Sequence, residues 1–270
     1  MIKNLDKGMC DNMSMRICTL LTAAGVVMLM ITTPSVARDV SKATTPDSRA
    51  LKGNWWEKRH RQKLAEIAAK SAIDVVFLGD SIINFWEERH LSSWTKWTDK
   101  LPASVLNLGF SGDRTENVIW RIQNGELDGY KAKVIVLMVG TNNAGHLKEA
   151  DEPASNIAAG IRTILDLLRV RQPAAKIVLC AILPRARERD VIDGVCARNL
   201  ETNVLVRKFC DGKDVIWCDF GNEFLAARGK VDQELMTDYL HPSDAGYEVF
   251  GSAVWPVVLR LLEANEAGKR

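Results

Sequence analysis

Five short apolar runs, each cut off by a glycine, a proline or an aspartate, set the pattern of this sequence. They are 73–78 (ending at Gly79), 105–108 (ending at Gly109), 134–139 (ending at Gly140), 177–183 (ending at Pro184) and 215–218 (before Asp219). Continuous apolar strands are buried on both faces, as in a parallel sheet. Between them, apolar residues at helical spacing mark 55–70, 114–123, 153–170 and about 195–210, and a last helix covers about 243–264. Strands alternating with helices, joined by right-handed crossovers, predict an α/β fold: a three-layer α/β/α sandwich around a five-stranded parallel sheet. Nothing between Trp55 and Leu262 reads as a linker or a repeat, so one domain over 55–265 is expected. Ligands of such sheets sit outside the carboxyl ends of the strands. Those ends read Gly79-Asp80-Ser81, Gly109-Phe110-Ser111, Gly140-Thr141-Asn142 and Pro184-Arg185.

Ahead of this domain lies an apolar run of a different kind. Ile17–Ile31 follows Arg16 and leads into Ser35-Val36-Ala37. A bilayer span needs ~20 apolar residues, and this run is shorter. A positive start, a short apolar core and small residues at the exit make a secretory signal peptide over 1–37, with cleavage expected after Ala37. Translation from Met13 or Met15 and an uncleaved anchor are the alternatives. The expected location is secreted or periplasmic, with no membrane span left after cleavage. Residues 38–54, with Pro46 and Gly53, read as a mobile lead-in.

Composition narrows the function. Lys+Arg 36 against Asp+Glu 34 gives a net charge of +2, and 47% of residues are hydrophobic. Disordered chains combine low hydrophobicity with high charge, which excludes that class. No basic excess is present to neutralise phosphates, so nucleic acid is not an expected partner. Cys180, Cys196, Cys210 and Cys218 remain after the leader. In an oxidising compartment they allow three pairings. The Asp211-Gly212-Lys213 turn favours Cys210 with Cys218, while Cys180, inside an apolar run, also reads as a buried thiol. There is no C-x-x-C pair and no H-E-x-x-H, so no metal and no cofactor is expected.

Ser81 follows an apolar strand and opens a helix, where the partial positive charge of the helix N-terminus favours an anion. It reads as a nucleophile or as an N-cap. A serine nucleophile needs a base and an orienting carboxylate. Asp238-Tyr239-Leu240-His241-Pro242 supplies both within one loop, whereas His60, His90 and His146 lack that setting. The Ser81 N–H, the Gly109 N–H and the Asn142 side-chain amide lie at three strand ends and are candidate donors to an oxyanion. Trp86, Trp94 and Trp97 either stack on substrate or pack a helix on the sheet. Arg114 either meets a polar substrate group or pairs with Asp113 or Glu116.

Gly-Asp-Ser-Ile, Gly109, Gly-Thr-Asn-Asn and a late D-x-x-H-P in this order resemble the SGNH (GDSL-type) hydrolase family, over about Trp55 to Leu262. The resemblance implies a flavodoxin-like sandwich, with Ser81 as nucleophile, His241 as base and Asp238 as its partner. It assigns the oxyanion hole to Ser81, Gly109 and Asn142. Asn107 to Thr115, Trp120-Arg121, Asn124 to Leu127, Ile182 to Arg185 and His241-Pro242 with Gly246-Tyr247 look like the catalytic subunits of brain-type platelet-activating-factor acetylhydrolase and their bacterial relatives. That group removes acetyl and other short acyl groups from oxygen, and the resemblance leaves a homodimer open. With an export signal, the expected substrate is a small-molecule or glycan ester such as an O-acetylated carbohydrate. A lipid-directed acylhydrolase and a non-catalytic glycan-binding module are the competing readings.

Overall fold

The computed structural model describes residues 41–49, 54–145, 151–186 and 194–267, all within one compact unit, Asp39–Arg270. The expected leader and His146 lie outside the described residues. The first helix, α1, is Asn54–Ala69. It is followed by β1 Val75–Gly79, α2 Ser81–Glu88, α3 Leu91–Thr98, β2 Val105–Gly109, α4 Thr115–Arg121 and β3 Val134–Met138. Then come α5 Thr141–Gly145, α6 Ala154–Arg171, β4 Lys176–Cys180, α7 Gly194–Val206, β5 Val215–Cys218, the short hairpin β6 Leu225–Ala226 with β7 Lys230–Val231, and α8 Asp244–Ala267. Strands β1 to β5 form one parallel sheet in the order β2-β1-β3-β4-β5. This is the flavodoxin-like order, and its switch point lies between β1 and β3. No helix among the described residues is long and apolar enough to cross a membrane.

Alternation along each strand divides the core. Val76, Leu78, Ile135, Leu137, Ile177, Leu179 and Val215 face one side with residues of α4, α6 and α7. Phe77, Val134, Val136, Val178, Cys180 and Cys218 face the other with residues of α2, α3 and α8. The five strands and the three-layer architecture stand as the sequence predicts. The expected strand 177–183 is shorter, because β5 ends at Cys218 and the ladder closes there. Beyond it the backbone of Ile182 is held by the Asn203 side chain instead.

Three expectations change. Trp86 is no substrate platform: it is fully buried at 0% exposure. Its ring stacks on Tyr247 at 5.2 Å, and its Nε1–H donates to Ser93 at 3.2 Å. Trp94, in α3, lies beside it at 5.5 Å. The Cys210–Cys218 disulfide does not form. Cys210 packs against the α6–α7 side of the sheet and Cys218 lies in the core on the other side. The turn between them is held by Asp211 Oδ1, which accepts from the N–H groups of Lys213, Asp214 and Val215.

The third change concerns the lead-in. Its described part, 41–49, is fastened to the domain by Ala43 N–H to Glu152, Thr115 Oγ1 to the Ala43 carbonyl, and Asn117 Nδ2 to the Asp47 carbonyl. Arg49 donates to the Ser111 carbonyl at 2.7 Å.

Because Trp86 fills the core, Trp86→Ala is expected to cost about 3–5 kcal/mol in urea unfolding, with substrate KM unchanged in the folded fraction. An unchanged unfolding midpoint with a shifted KM would return Trp86 to the substrate.

Candidate active site

Strand β1 delivers Ser81 to the sheet edge as the first residue of α2. Asp80 caps that helix, accepting from the Ile82 N–H at 3.0 Å. The base arrives from the far end of the chain. In the turn before α8, Tyr239 takes a left-handed conformation at φ 61, and its carbonyl accepts from the Ala186 N–H at 3.0 Å. That turn folds Asp238 back on His241. Asp238 Oδ1 accepts from the N–H groups of His241 and Leu240, and Oδ2 lies 2.6 Å from His241 Nδ1. His241 Nε2 faces Ser81 Oγ at 2.9 Å. The two halves are also joined by Tyr247 on α8, whose hydroxyl donates to the Ile82 carbonyl at 2.8 Å. Phe85 closes the other side of the imidazole, with ring centroids 4.9 Å apart.

Electrostatics suit a Ser–His–Asp relay. Partial burial alone would raise the Asp238 carboxyl, but the bonds from His241 and Leu240 outweigh it and hold the group at about 2. Asp238 therefore stays ionised and fixes the imidazole with a proton on Nδ1, which leaves Nε2 to accept from Ser81.

The oxyanion side requires a correction. The Gly109 N–H donates to Asn107 Oδ1 at 2.8 Å, so it is spent. Gly109 is glycine for packing, since a Cβ there would lie 2.2 Å from the Asn84 nitrogen of α2. In the following loop Gly112 is left-handed at φ 75, and its N–H takes no acceptor among the described residues. Asn142 is the second residue of α5 and is buried. Its Nδ2 donates one hydrogen to the Asp113 carbonyl at 2.9 Å, leaving the second available.

Residues 77–249 match the model of the GDSL-like Lipase/Acylhydrolase family. The chain belongs to that family. The Homo sapiens platelet-activating factor acetylhydrolase IB subunit alpha1 is 32% identical over 228 residues, which is 84% of this chain and 92% of that one. A GDSL-like lipase from Bacteroides thetaiotaomicron VPI-5482 has a TM-score of 0.62 at 17% identity, covering 74% of this chain and 97% of its own. The acetyl xylan esterase AlAXEase has a TM-score of 0.54 at 20% identity, covering 69% and 100%. The last two are likenesses of fold. This GDSL-like hydrolase carries the serine-centred relay at the carboxyl edge of its sheet.

Arg114, expected as a substrate contact or an ion-pair partner, is the latter. It is 5% exposed, lies 2.6 Å from Glu116, and donates to the Asn142 carbonyl at 3.1 Å. It holds the turn that carries Asn142. His60 and His90 also have structural partners, Glu126 at 2.9 Å and Asp244 at 2.6 Å.

The sequence reading missed a charge cluster under the site. Arg121 Nε pairs with Asp113 at 2.8 Å, Nη1 pairs with Glu126, and Nη2 donates to the Gly79 carbonyl at 3.2 Å. All three charged side chains are fully buried. Arg121 thus grips the strand end just before Asp80 and Ser81. It also grips Asp113, whose carbonyl orients the Asn142 amide. The Trp120-Arg121 and Asn124-Gly125-Glu126-Leu127 motifs were the available signal.

Burial drives the Asp80 carboxyl from 3.8 up to about 7, against the Ile82 N–H and the positive fields of His241 and Arg185. Its Oδ2 finds no donor among the described residues. Between pH 3.8 and about 7 the folded chain keeps a proton that the unfolded chain releases. Asp80 therefore costs stability increasingly as pH rises through that window. Asn carries no charge and caps helices as well as Asp does. Asp80→Asn is expected to raise Tm over the wild type at pH 8, with the difference closing toward pH 4 in thermal melts. A difference independent of pH would contradict this.

Proposed function

We propose that this chain is an exported serine esterase that removes acetyl or other short acyl groups from oxygen esters, with O-acetylated carbohydrate as the substrate class. The observation that carries the reading is the Ser81–His241–Asp238 relay on a nucleophile that is only 3% exposed. Phe85, against the His241 ring, is likewise buried. So confined a serine suits a short acyl group better than a long chain, which needs an open apolar groove.

In the first step His241 Nε2 takes the Ser81 proton while Oγ attacks the ester carbonyl. The oxyanion is met by the Ser81 N–H at the start of α2, the Gly112 N–H and the second Asn142 amide hydrogen. The imidazolium, stabilised by Asp238, then protonates the leaving alcohol. Water deprotonated by the same His241 releases the acyl group. Asp238 acts by holding tautomer and orientation and accepts no proton.

Export rests on the 1–37 leader pattern. A second reading, an acetyl ester of a lipid, is favoured by the 32% identity with the platelet-activating factor acetylhydrolase subunit. Aryl acetate, butyrate and octanoate esters, assayed with wild type and Ser81→Ala, test the acyl preference. The expected result is acetate preference that vanishes in the variant. Octanoate preference or full activity in Ser81→Ala would overturn the proposal. Release of acetate from acetylated xylo-oligosaccharide against an acetylated glycerolipid separates the two alcohols. Asn142→Ala is expected to fold and to lose about 10²–10³ in kcat. A wild-type rate would remove Asn142 from the hole.

A further inference from the structure

Cys210 and Cys218 lie on opposite faces of the sheet, and Cys218 faces Cys180 instead. Strands β4 and β5 are parallel neighbours, and Cys180 is the direct register partner of Cys218. Adjacent strands lie ≈ 4.7–4.9 Å apart, inside the 4.4–6.8 Å Cα window of a disulfide. Equal register in a parallel pair puts both side chains on one face, and both lie in the α2–α3–α8 core. Both are thiols in this structure. Cys210 packs on the opposite face of the sheet and competes with neither.

We propose that Cys180 and Cys218 form a redox-modification site, a disulfide across β4 and β5 that a low-molecular-weight disulfide closes and thiols reopen. The pair is polarised. The Cys180 thiol is pushed up, first by the Cys218 sulfur and then by burial, while the Cys218 thiol is pushed down by Cys180. Cys218 thus supplies the attacking thiolate. Its Sγ bonds to one sulfur of the small disulfide, whose S–S bond breaks and expels one thiolate. Cys180, losing its proton, then attacks Cys218 Sγ and expels the second. Two electrons pass to the small disulfide, and the two thiol protons end on the released thiols.

The placement links the bridge to the candidate site. The Ala181 N–H donates to the Cys218 carbonyl at 2.9 Å, directly beside the pair. Five residues on, Ala186 holds the Tyr239 carbonyl between Asp238 and His241. Arg185 donates to the Thr141 carbonyl at 3.2 Å. The bridge pins the segment on which the His241 turn rests.

The test incubates the full chain with oxidised glutathione in two arms, native and refolded from guanidinium. Remaining thiols are alkylated and peptides mapped by mass spectrometry. The expected result is one linked peptide pair containing Cys180 and Cys218, lighter by two hydrogens, with Cys196 and Cys210 (and Cys10 and Cys18 where the leader is retained) alkylated and the bridge reversed by dithiothreitol. Cys180→Ser and Cys218→Ser should each lose the bridge, and Cys210→Ser should keep it. A bridge through Cys196 or Cys210, or none in either arm of the wild type, would overturn the proposal.

Discussion

The hydrogen bond between Ser81 and His241 joins residues 160 positions apart, and the rest of the structure serves to make it. Such a bond nets only about 0.5–1.5 kcal/mol, far too little to hold two ends of a chain together. The holding is done by apolar burial: β1 lies between β2 and β3, its Phe77 packs against Trp86 of α2, and Phe250, Val254 and Trp255 of α8 close over them. The Tyr247 hydroxyl then sets α8 on the first turn of α2 to within one hydrogen bond. The relay is thus positioned by the core and adds little to it.

The opposite wall of the site is built from buried charge. A fully buried ion pair gains little over a well-packed apolar core, and removing one partner typically costs 3–5 kcal/mol. The Asp113–Arg121–Glu126 cluster is therefore expensive to carry on stability grounds alone. What it supplies is placement. One guanidinium bonds the Gly79 carbonyl two residues before Ser81 and the carboxylate of the residue that orients Asn142. Arg114, Asn143, Glu116 and the 41–49 segment extend the same network around the Asn142 turn. The flexible-looking lead-in is one of its supports.

The strands, the sheet type and the meeting of Ser81, His241 and Asp238 were legible because each leaves a local mark: a continuous apolar run, a glycine at its end, an aspartate three residues before a histidine. What failed was contact information. Gly109 and Gly112 sit in one motif, and only the Asn107 side chain, which captures the Gly109 N–H, distinguishes them. Trp86 looks the same in sequence whether it faces sugar or Tyr247. Cys210 and Cys218 are close along the chain and on opposite faces of the sheet. Cys180, 38 residues from Cys218 in sequence, is its register partner. The polarity of 38–54 suggested mobility because its partners, Glu152, Thr115 and Asn117, are far away in the chain.

Covalent labelling reads the central claim most directly. A fluorophosphonate reacts with a serine that a neighbouring base has activated, and peptide mapping locates the adduct. The account predicts a single adduct on Ser81, lost in His241→Ala and slowed in Asp238→Asn. Labelling of another serine, or undiminished labelling of Ser81 without His241, would contradict it.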